Sequence, residues 1–202
     1  MYKRKAVNEK EHIIKIAETN HGIVTSQAVR NSGIARRALS ELCEDGKLIR
    51  VQRGVYTTED AWANEFVLCQ YRFPNGIFSH ETALYLHGYS DRTPERFAMS
   101  FPYGENVSRI KQAGIKPFVL RNHYELGEEA VSTSGGHVVS VYSIERTLID
   151  ILKPGGQTDI QLIAPAYKQY VKMPKRDIPL LIEYAETFKM KDKVMSYLEV
   201  LL

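Results

Sequence analysis

Apolar residues recur at intervals of three and four near the start of the chain, the spacing that puts side chains on one face of a helix. This pattern predicts helices over residues 8–20, 25–30 and 32–43, separated by short polar or glycine-containing breaks. Two runs rich in β-branched and aromatic residues follow at 48–51 and 55–57, and they predict a hairpin. Three helices followed by a hairpin is the order of elements in a winged helix-turn-helix, which we therefore expect at the N-terminus.

Further along, the pattern changes to short strands that alternate with helices. After a connecting helix at about 60–73, it predicts strands at 77–78, 97–101, 118–120 and 138–142, and helices at 79–86, 105–112 and 143–152. A hairpin is predicted about Gly135-Gly136, and from residue 158 onward every segment is helical, with breaks at Pro174 and at 189–192.

The predicted fold class is therefore α+β. Residues 1–58 form the winged helix-turn-helix domain, and residues 59–75 form a connecting helix. Residues 76–202 form a mixed α/β domain whose C-terminal part, from about residue 157, is a helical subdomain.

Charge is distributed unevenly between these parts. Residues 1–58 carry 11 Lys/Arg against six Asp/Glu, a balance of +5, whereas residues 59–202 carry 16 against 18. Positive charge concentrated in a small domain is the electrostatic signature of phosphate contact. The balance therefore favours nucleic acid as the partner of the first domain.

Apolar runs such as 66–69 and 138–141 are far shorter than the roughly 20 residues that cross a bilayer. The basic first residues are not followed by an apolar signal core. Only two cysteines are present, Cys43 and Cys69, without a Cys/His spacing that suits zinc. We expect a cytoplasmic protein with buried free thiols, no membrane contact and no cofactor.

The predicted third helix separates its side chains into two faces. On a helical wheel, one face holds apolar residues and the other holds Arg36, Arg37 and Ser40, followed by Glu41 and Glu44. The N-terminal half of a recognition helix normally enters the major groove. Arginine can bind guanine or phosphate there, and serine can reach either, so these three residues are the candidate DNA contacts.

The hairpin supplies a second group of basic residues. Arg50 and Arg53 lie on it, and Lys47 lies at its base, where a wing meets the DNA backbone or minor groove. The first residues of the chain predict a flexible basic arm composed of Tyr2, Lys3, Arg4 and Lys5.

Histidines in the second domain raise the possibility of a metal site. On a helix, His80 and His87 share a face, with Glu81 next to the first of them. The spacing is not HExxH, and no further ligand can be placed. We therefore predict no metal site here.

Two carboxylates in the segment 145–150 are candidates for acid/base catalysis. Glu145 and Asp150 are about 140° apart around a helix, which suits paired chemistry poorly. Glu145 suits the helix start, and Arg146 with Asp150 suits an i,i+4 ion pair. Motifs of a phosphate-binding loop or of a nucleophile with its base are also missing from the sequence. We predict a protein that is not an enzyme.

Three blocks of sequence together resemble a known family. These are the wing segment 48–56 (LIRVQRGVY), the segment 79–88 (SHETALYLHG) and the segment 145–150 (ERTLID). In this order and at this spacing they resemble the AbiEi abortive-infection antitoxins, and the resemblance covers most of residues 8–155.

The resemblance implies a bacterial antitoxin of a type IV toxin-antitoxin system that gives phage resistance by abortive infection. Its winged N-terminus would bind inverted repeats in its own promoter and repress transcription, through Arg36, Arg37 and Ser40 on the helix and Arg50 and Arg53 on the wing. Its C-terminal domain would neutralise a nucleotidyltransferase-like toxin, with or without a stable complex.

Two other functions fit the sequence. One is a ligand-responsive repressor whose second domain binds a small molecule. The other is a DNA-guided, metal-dependent nuclease or transferase built from Glu81, Glu145 and Asp150.

Overall fold

The computed structural model describes residues 2–61, 64–133, 135–155 and 158–201, with side chains described from residue 8 onward. The chain divides into two compact units. The first contains Met1–Pro74 and Ser132–Val138, and the second contains Asn75–Val131 and Val139–Leu202. Helices and strands are mixed in the α+β manner that the sequence predicts.

The first unit is built on a short antiparallel sheet and the helices that pack around it. In chain order its elements are α1 (Tyr2–Thr19), β1 (Ile23–Thr25), α2 (Ser26–Asn31), α3 (Arg37–Glu44), β2 (Ile49–Gln52), β3 (Val55–Thr57) and α4 (Glu65–Arg72). The strands pair in the order β1-β3-β2. Ile13, Leu39 and Leu42 are fully buried in the core that α1, α2 and α3 enclose. This is a winged helix-turn-helix, and β1 is a paired strand where the sequence predicted only an extended link.

The third helix begins later than the sequence predicted. Gly33, with φ of +71°, ends the preceding helix, and the amide of Leu39 donates to the carbonyl of Arg36, only three residues earlier. The residues before Arg37 are therefore used in the turn between α2 and α3. In consequence Ala35, which the helical wheel placed on the packing face, is exposed.

The connecting helix also starts later than residue 60. Oδ1 of Asn64 accepts a hydrogen bond from the amide of Val67 at 3.0 Å. An N-cap of this kind satisfies a free amide of the first turn, so α4 begins at Glu65.

The second unit contains a five-stranded mixed sheet. Its first elements are β4 (Ile77–Phe78), α5 (His80–Leu86), β5 (Ala98–Pro102), α6 (Val107–Gln112), β6 (Lys116–Leu120), β7 (Glu128–Ser132), β8 (Val138–Tyr142) and α7 (Ile144–Asp150). The sheet order is β6-β5-β4-β8-β7. β4 pairs antiparallel with β5 and parallel with β8, and β5 pairs parallel with β6.

Helices complete the second unit. After α7 the chain forms α8 (Ile160–Tyr170), α9 (Ile178–Thr187) and α10 (Lys191–Leu201), with the two breaks that the sequence predicted. Leu148, Tyr167, Leu181 and Val194 are buried in one apolar core that these helices share with α5. This core includes residues of α7, the helix that also carries the buried charged residues Glu145, Arg146 and Asp150.

Candidate nucleic-acid interface

α3 buries one face and exposes the other, as its amphipathic pattern requires. Ala38, Leu39 and Leu42 are buried against the core of the first unit, whereas Arg37 and Ser40 are exposed. The polar face of α3 is therefore open to a partner.

Arg36 is the N-cap residue of α3 and has helical backbone angles, φ −57° and ψ −24°. Its side chain is exposed and has no hydrogen bond or ion pair within the described part of the chain. Arg37 is the first helical residue, and its Nε donates to Oε1 of Glu41 at 2.8 Å. Of the two predicted arginine contacts, one is free and the other is held by an acidic neighbour.

Lys10 of α1 joins the same acidic cluster. Its Nζ lies 3.2 Å from Oε2 of Glu41 and 2.8 Å from Oδ2 of Asp45. The hydrogen bond to Asp45 raises the pKa of Lys10, and the bond from Lys10 lowers the pKa of Asp45 and of Glu41. Sequence reasoning missed Lys10, because helix packing brings it to α3 from a position 35 residues away. Lys10 thus pairs with both carboxylates near the C-terminal end of α3.

The wing places its basic residues on an exposed edge. Arg50 lies on β2, Arg53 lies in the turn before Gly54, and Lys47 precedes β2; all three are exposed. The register between β2 and β3 shifts between Arg50 and Gln52, which is a β-bulge. Such a bulge turns an edge strand locally and changes the direction of its side chains.

The tip of the wing is attached to the start of α2. The amide of Ser26 donates to the carbonyl of Gly54 at 2.8 Å. Gly54 has φ of +83°, a conformation that glycine adopts without strain. The structure therefore fixes the wing against the helix-turn-helix within the first unit.

Residues 3–5 belong to helix α1 in their backbone, whereas the sequence predicted a flexible arm. The helical pattern extends further toward the N-terminus than Asn8, since residues 2–7 carry no helix breaker. The side chains of Lys3, Arg4 and Lys5 lie outside the described residues.

The three carboxylates of the second unit that are candidates for catalysis are each engaged by another side chain. Oε1 of Glu81 lies 3.2 Å from Nζ of Lys116, and Oε1 of Glu145 accepts a hydrogen bond from the hydroxyl of Tyr170 at 3.0 Å. Asp150 is paired with two cations, Arg146 and Lys153. Within the described ranges, no group of three or more His, Cys, Asp or Glu side chains could hold a metal ion.

The predicted ion pair of α7 is present and fully buried. Nε of Arg146 lies 3.0 Å from Oδ2 of Asp150, and Nζ of Lys153 lies 2.5 Å from Oδ1. Arg146 also donates to the carbonyls of His123 and Leu126 at 2.9 and 2.8 Å. These bonds tie the loop before β7 to α7, which is a structural role.

His80 is buried at the start of α5, directly after β4. Its ring stacks on Phe118 with centroids 3.6 Å apart, and its Nδ1 lies 3.1 Å from Oγ of Ser79. Burial lowers the pKa of His80 to about 4, so the ring is neutral near pH 7. The residue has φ of +50°, an uncommon conformation for histidine. This histidine is part of the core and does not face His87, whose Nε2 lies 2.8 Å from the carbonyl of Tyr142.

The fold and its exposed basic face define a winged helix-turn-helix protein. Residues 11–58 match the family model described as transcriptional regulator, AbiEi antitoxin. This confirms, for that segment, the resemblance that the sequence indicates. Over these residues the chain is thus similar to a family of antitoxins and transcriptional regulators.

No curated protein matches the chain. Its structure is similar to the crystal structure of the RV2827C protein from Mycobacterium tuberculosis, with a TM-score of 0.54 and 14% sequence identity. The similarity covers 87% of this chain and 71% of that chain. At this identity it shows a shared fold. Along the stretches that the structure describes, no helix is long and apolar enough to cross a bilayer.

Proposed function

We propose that this chain represses its own promoter by binding inverted repeats in DNA, and that it is the antitoxin of a type IV toxin-antitoxin system. DNA binding is assigned to residues 1–58 and antitoxin activity to residues 76–202, with 59–75 as the connection. In this proposal the protein acts in the cytoplasm and catalyses no reaction.

The observation that carries the DNA-binding half is the exposed arginine face formed by α3 and the wing. Arg36 and Arg37 stand at the N-terminal end of α3, the end that enters the major groove in helix-turn-helix proteins. Arg50 and Arg53 are exposed on the wing, which is attached to α2 through Gly54. These residues lie inside the segment that matches the AbiEi regulators.

Charge supports the same assignment. The balance of +5 over residues 1–58 attracts a polyanion, and the slight acidic excess of the remainder does not. Glu41 and Asp45 are placed toward the end of α3, where a recognition helix leaves the groove. An interface that read DNA with the other end of α3 would place these carboxylates against phosphate.

A gel-shift assay with the DNA upstream of the gene tests this half. Arg36→Ala with Arg37→Ala should abolish the retarded band. The matched control is Arg109→Ala with Lys111→Ala, which removes the same charge from α6 of the second unit and should leave the band unchanged. Equal retardation of both variants would overturn the assignment.

Co-expression tests the antitoxin half. The partner is the nucleotidyltransferase-like toxin that the family resemblance implies, encoded beside this gene. The variant with Arg36→Ala and Arg37→Ala should still restore growth, because antitoxin activity is assigned to residues after 75. Loss of rescue by a correctly folded variant would contradict the assignment of antitoxin activity to residues 76–202.

A further inference from the structure

Helices α8 and α10 border an open groove on the second unit. Its volume is about 600 Å³, and Pro165, Lys168 and Val200 are among the residues that line it. A second groove of about 380 Å³ adjoins it, since Ser196 and Tyr197 line both. Together they form one surface, which we call the α8–α10 face; its residues include Ile160, Pro165, Lys168, Lys193, Tyr197 and Val200.

The two most exposed large apolar side chains that the structure describes are on this face. Val200 is 83% exposed and Ile160 is 75% exposed. Neither belongs to the apolar core of the second unit, in which α10 is anchored by the buried Val194 and Leu198. Apolar side chains that are exposed together on one surface mark a site of contact with another molecule.

On α8 the groove is lined by small side chains. Ala164 and Pro165 are both exposed there, and Pro165 lies inside the helix. Packed helices approach each other to about 8–10 Å, and the side chains at the contact set the distance, so small residues allow a close approach. The groove can therefore receive a helix.

Charge limits which helix fits. Lys168 and Lys193 line the face, are exposed and form no ion pair within the described part of the chain. No carboxylate is among the described residues that line either groove. Interfaces favour surfaces of complementary charge. The occupant should therefore present apolar side chains together with a negative charge.

The chain itself carries such a helix. Glu199 is the neighbour of Val200 on α10, is exposed, and has no ion pair among the described residues. The end of α10 thus offers an apolar side chain with an unpaired carboxylate, and the groove beside it offers unpaired lysines. A two-fold contact between identical chains requires a surface that is complementary to itself, because each pair of residues forms twice. The α8–α10 face meets this requirement.

We propose that the α8–α10 face joins two copies of this chain in a two-fold dimer. The end of α10 of each copy packs in the groove of the other, so that Val200 lies against Pro165 of the second copy and Glu199 pairs with its Lys168. Such a dimer has the symmetry of the inverted repeats in the proposed operator. The dimer rests on the proposed function in this respect only, since the exposed apolar residues and the charges do not depend on it.

Sedimentation velocity of the full chain without DNA tests the dimer. The wild type should form a species of twice the chain mass, in an amount that rises with concentration over the micromolar range. Val200→Lys should raise the dissociation constant of the dimer by at least about tenfold, since each copy loses the burial of a valine. The matched control, Val138→Lys, makes the same change at a valine outside the face that is 55% exposed, and it should associate as the wild type does.

Exchange of charges tests the pairing of Glu199 with Lys168. Glu199→Lys and Lys168→Glu should each weaken the dimer by about threefold or more, because each places like charges together twice. A variant with both substitutions should associate as the wild type does, because it restores opposite charges across the contact. Since these side chains form no ion pair within the described part of one chain, such a recovery identifies a contact between two copies.

A wild type that stays monomeric throughout this range would overturn the proposal. Undiminished association of Val200→Lys, an equal loss in Val138→Lys, or no recovery in the double variant would also overturn it. Circular dichroism checks that Val200→Lys is folded, and the charge exchange decides the matter if it is not. A dimer that fails to bind the upstream DNA would contradict the proposed function and leave the α8–α10 contact in place.

Discussion

Nε of Arg37 donates to Oε1 of Glu41 at 2.8 Å, one helical turn along α3. The arginine side chain is 87% exposed, so this ion pair is weak. It nevertheless competes with any DNA phosphate or base for the same guanidinium group. In the proposed interface, Glu41 therefore limits what Arg37 would contribute to DNA binding.

We therefore predict that Glu41→Gln increases affinity for the upstream DNA by about twofold or more, since it frees Arg37, and with it Lys10, from the shared carboxylate. Fluorescence anisotropy with a labelled duplex measures this. Glu44→Gln is the control, because it removes an equal charge from the exposed face of α3 without an ion pair in the described structure. If both variants gain the same affinity for the duplex, the loss of one negative charge explains the gain, and the release of Arg37 does not.

Two i,i+4 ion pairs of this chain differ in how far they are exposed to solvent. Arg146 is 0% exposed and pairs with Asp150, whereas the Arg37–Glu41 pair is on the surface. We predict that Arg146→Ala lowers the free energy of unfolding by roughly 3 kcal/mol or more, because it leaves the Asp150 carboxylate buried with only Lys153 as a partner. Arg37→Ala should change it by less than about 1 kcal/mol. Urea denaturation measures the free energy of unfolding of both variants. Similar losses would show that the buried ion pair contributes no more to stability than the exposed one.

His80 should make the protein less stable in acid. Its pKa in the folded state is lowered to about 4, below the value of about 6.5 for an unfolded chain. Between these values the unfolded chain binds more protons, so stability is full above about pH 6.5 and falls as the pH approaches 4. The difference corresponds to about 3 kcal/mol.

His80→Asn tests this, because asparagine accepts the positive φ of this position and does not titrate. Thermal unfolding measured from pH 7 to pH 4 should show a steeper loss of stability in the wild type than in the variant. Parallel pH profiles would mean that His80 is not the group responsible.

Gly54 connects the wing to α2, so its replacement should affect both stability and DNA binding. An L-residue in this left-handed conformation is less favourable by roughly 1–2 kcal/mol. We predict that Gly54→Ala lowers the melting temperature by several degrees and weakens DNA binding. Gly54→Asn, which tolerates positive φ, should be closer to the wild type in both measurements. Indistinguishable alanine and asparagine variants would argue against backbone strain as the cause.

The elements of the winged helix-turn-helix are predictable because each has a strong local pattern. Leu39 and Leu42 on α3, and the β-branched strands of the wing, show their periodicity directly in the sequence. The Arg146–Asp150 pair is predictable for the same reason, since i,i+4 spacing on a helix fixes its geometry.

Features that depend on residues far apart in sequence were not predictable. The hairpin predicted about Gly135-Gly136 implies a strand before it, but β7 carries exposed charged residues and has no alternating apolar pattern, so the sequence does not give its bounds. Lys10 meets Asp45 only when α1 packs on α3, and His21 meets His137 only when the β7–β8 connection joins the first unit. The start of α3 at Arg37 depends on the turn after Gly33, whose geometry overrides the continuous apolar pattern.

The salt dependence of DNA binding tests the central claim most directly. Each phosphate contact contributes about 0.9 to the slope of log affinity against log salt concentration. Anisotropy titrations with the upstream DNA should therefore show a slope smaller by about 1.8 for Arg50→Ala with Arg53→Ala than for the wild type. Arg109→Ala with Lys111→Ala should leave the slope unchanged. An unchanged slope in the wing variant, or an equal fall in both, would contradict the assignment of the DNA interface to α3 and the wing.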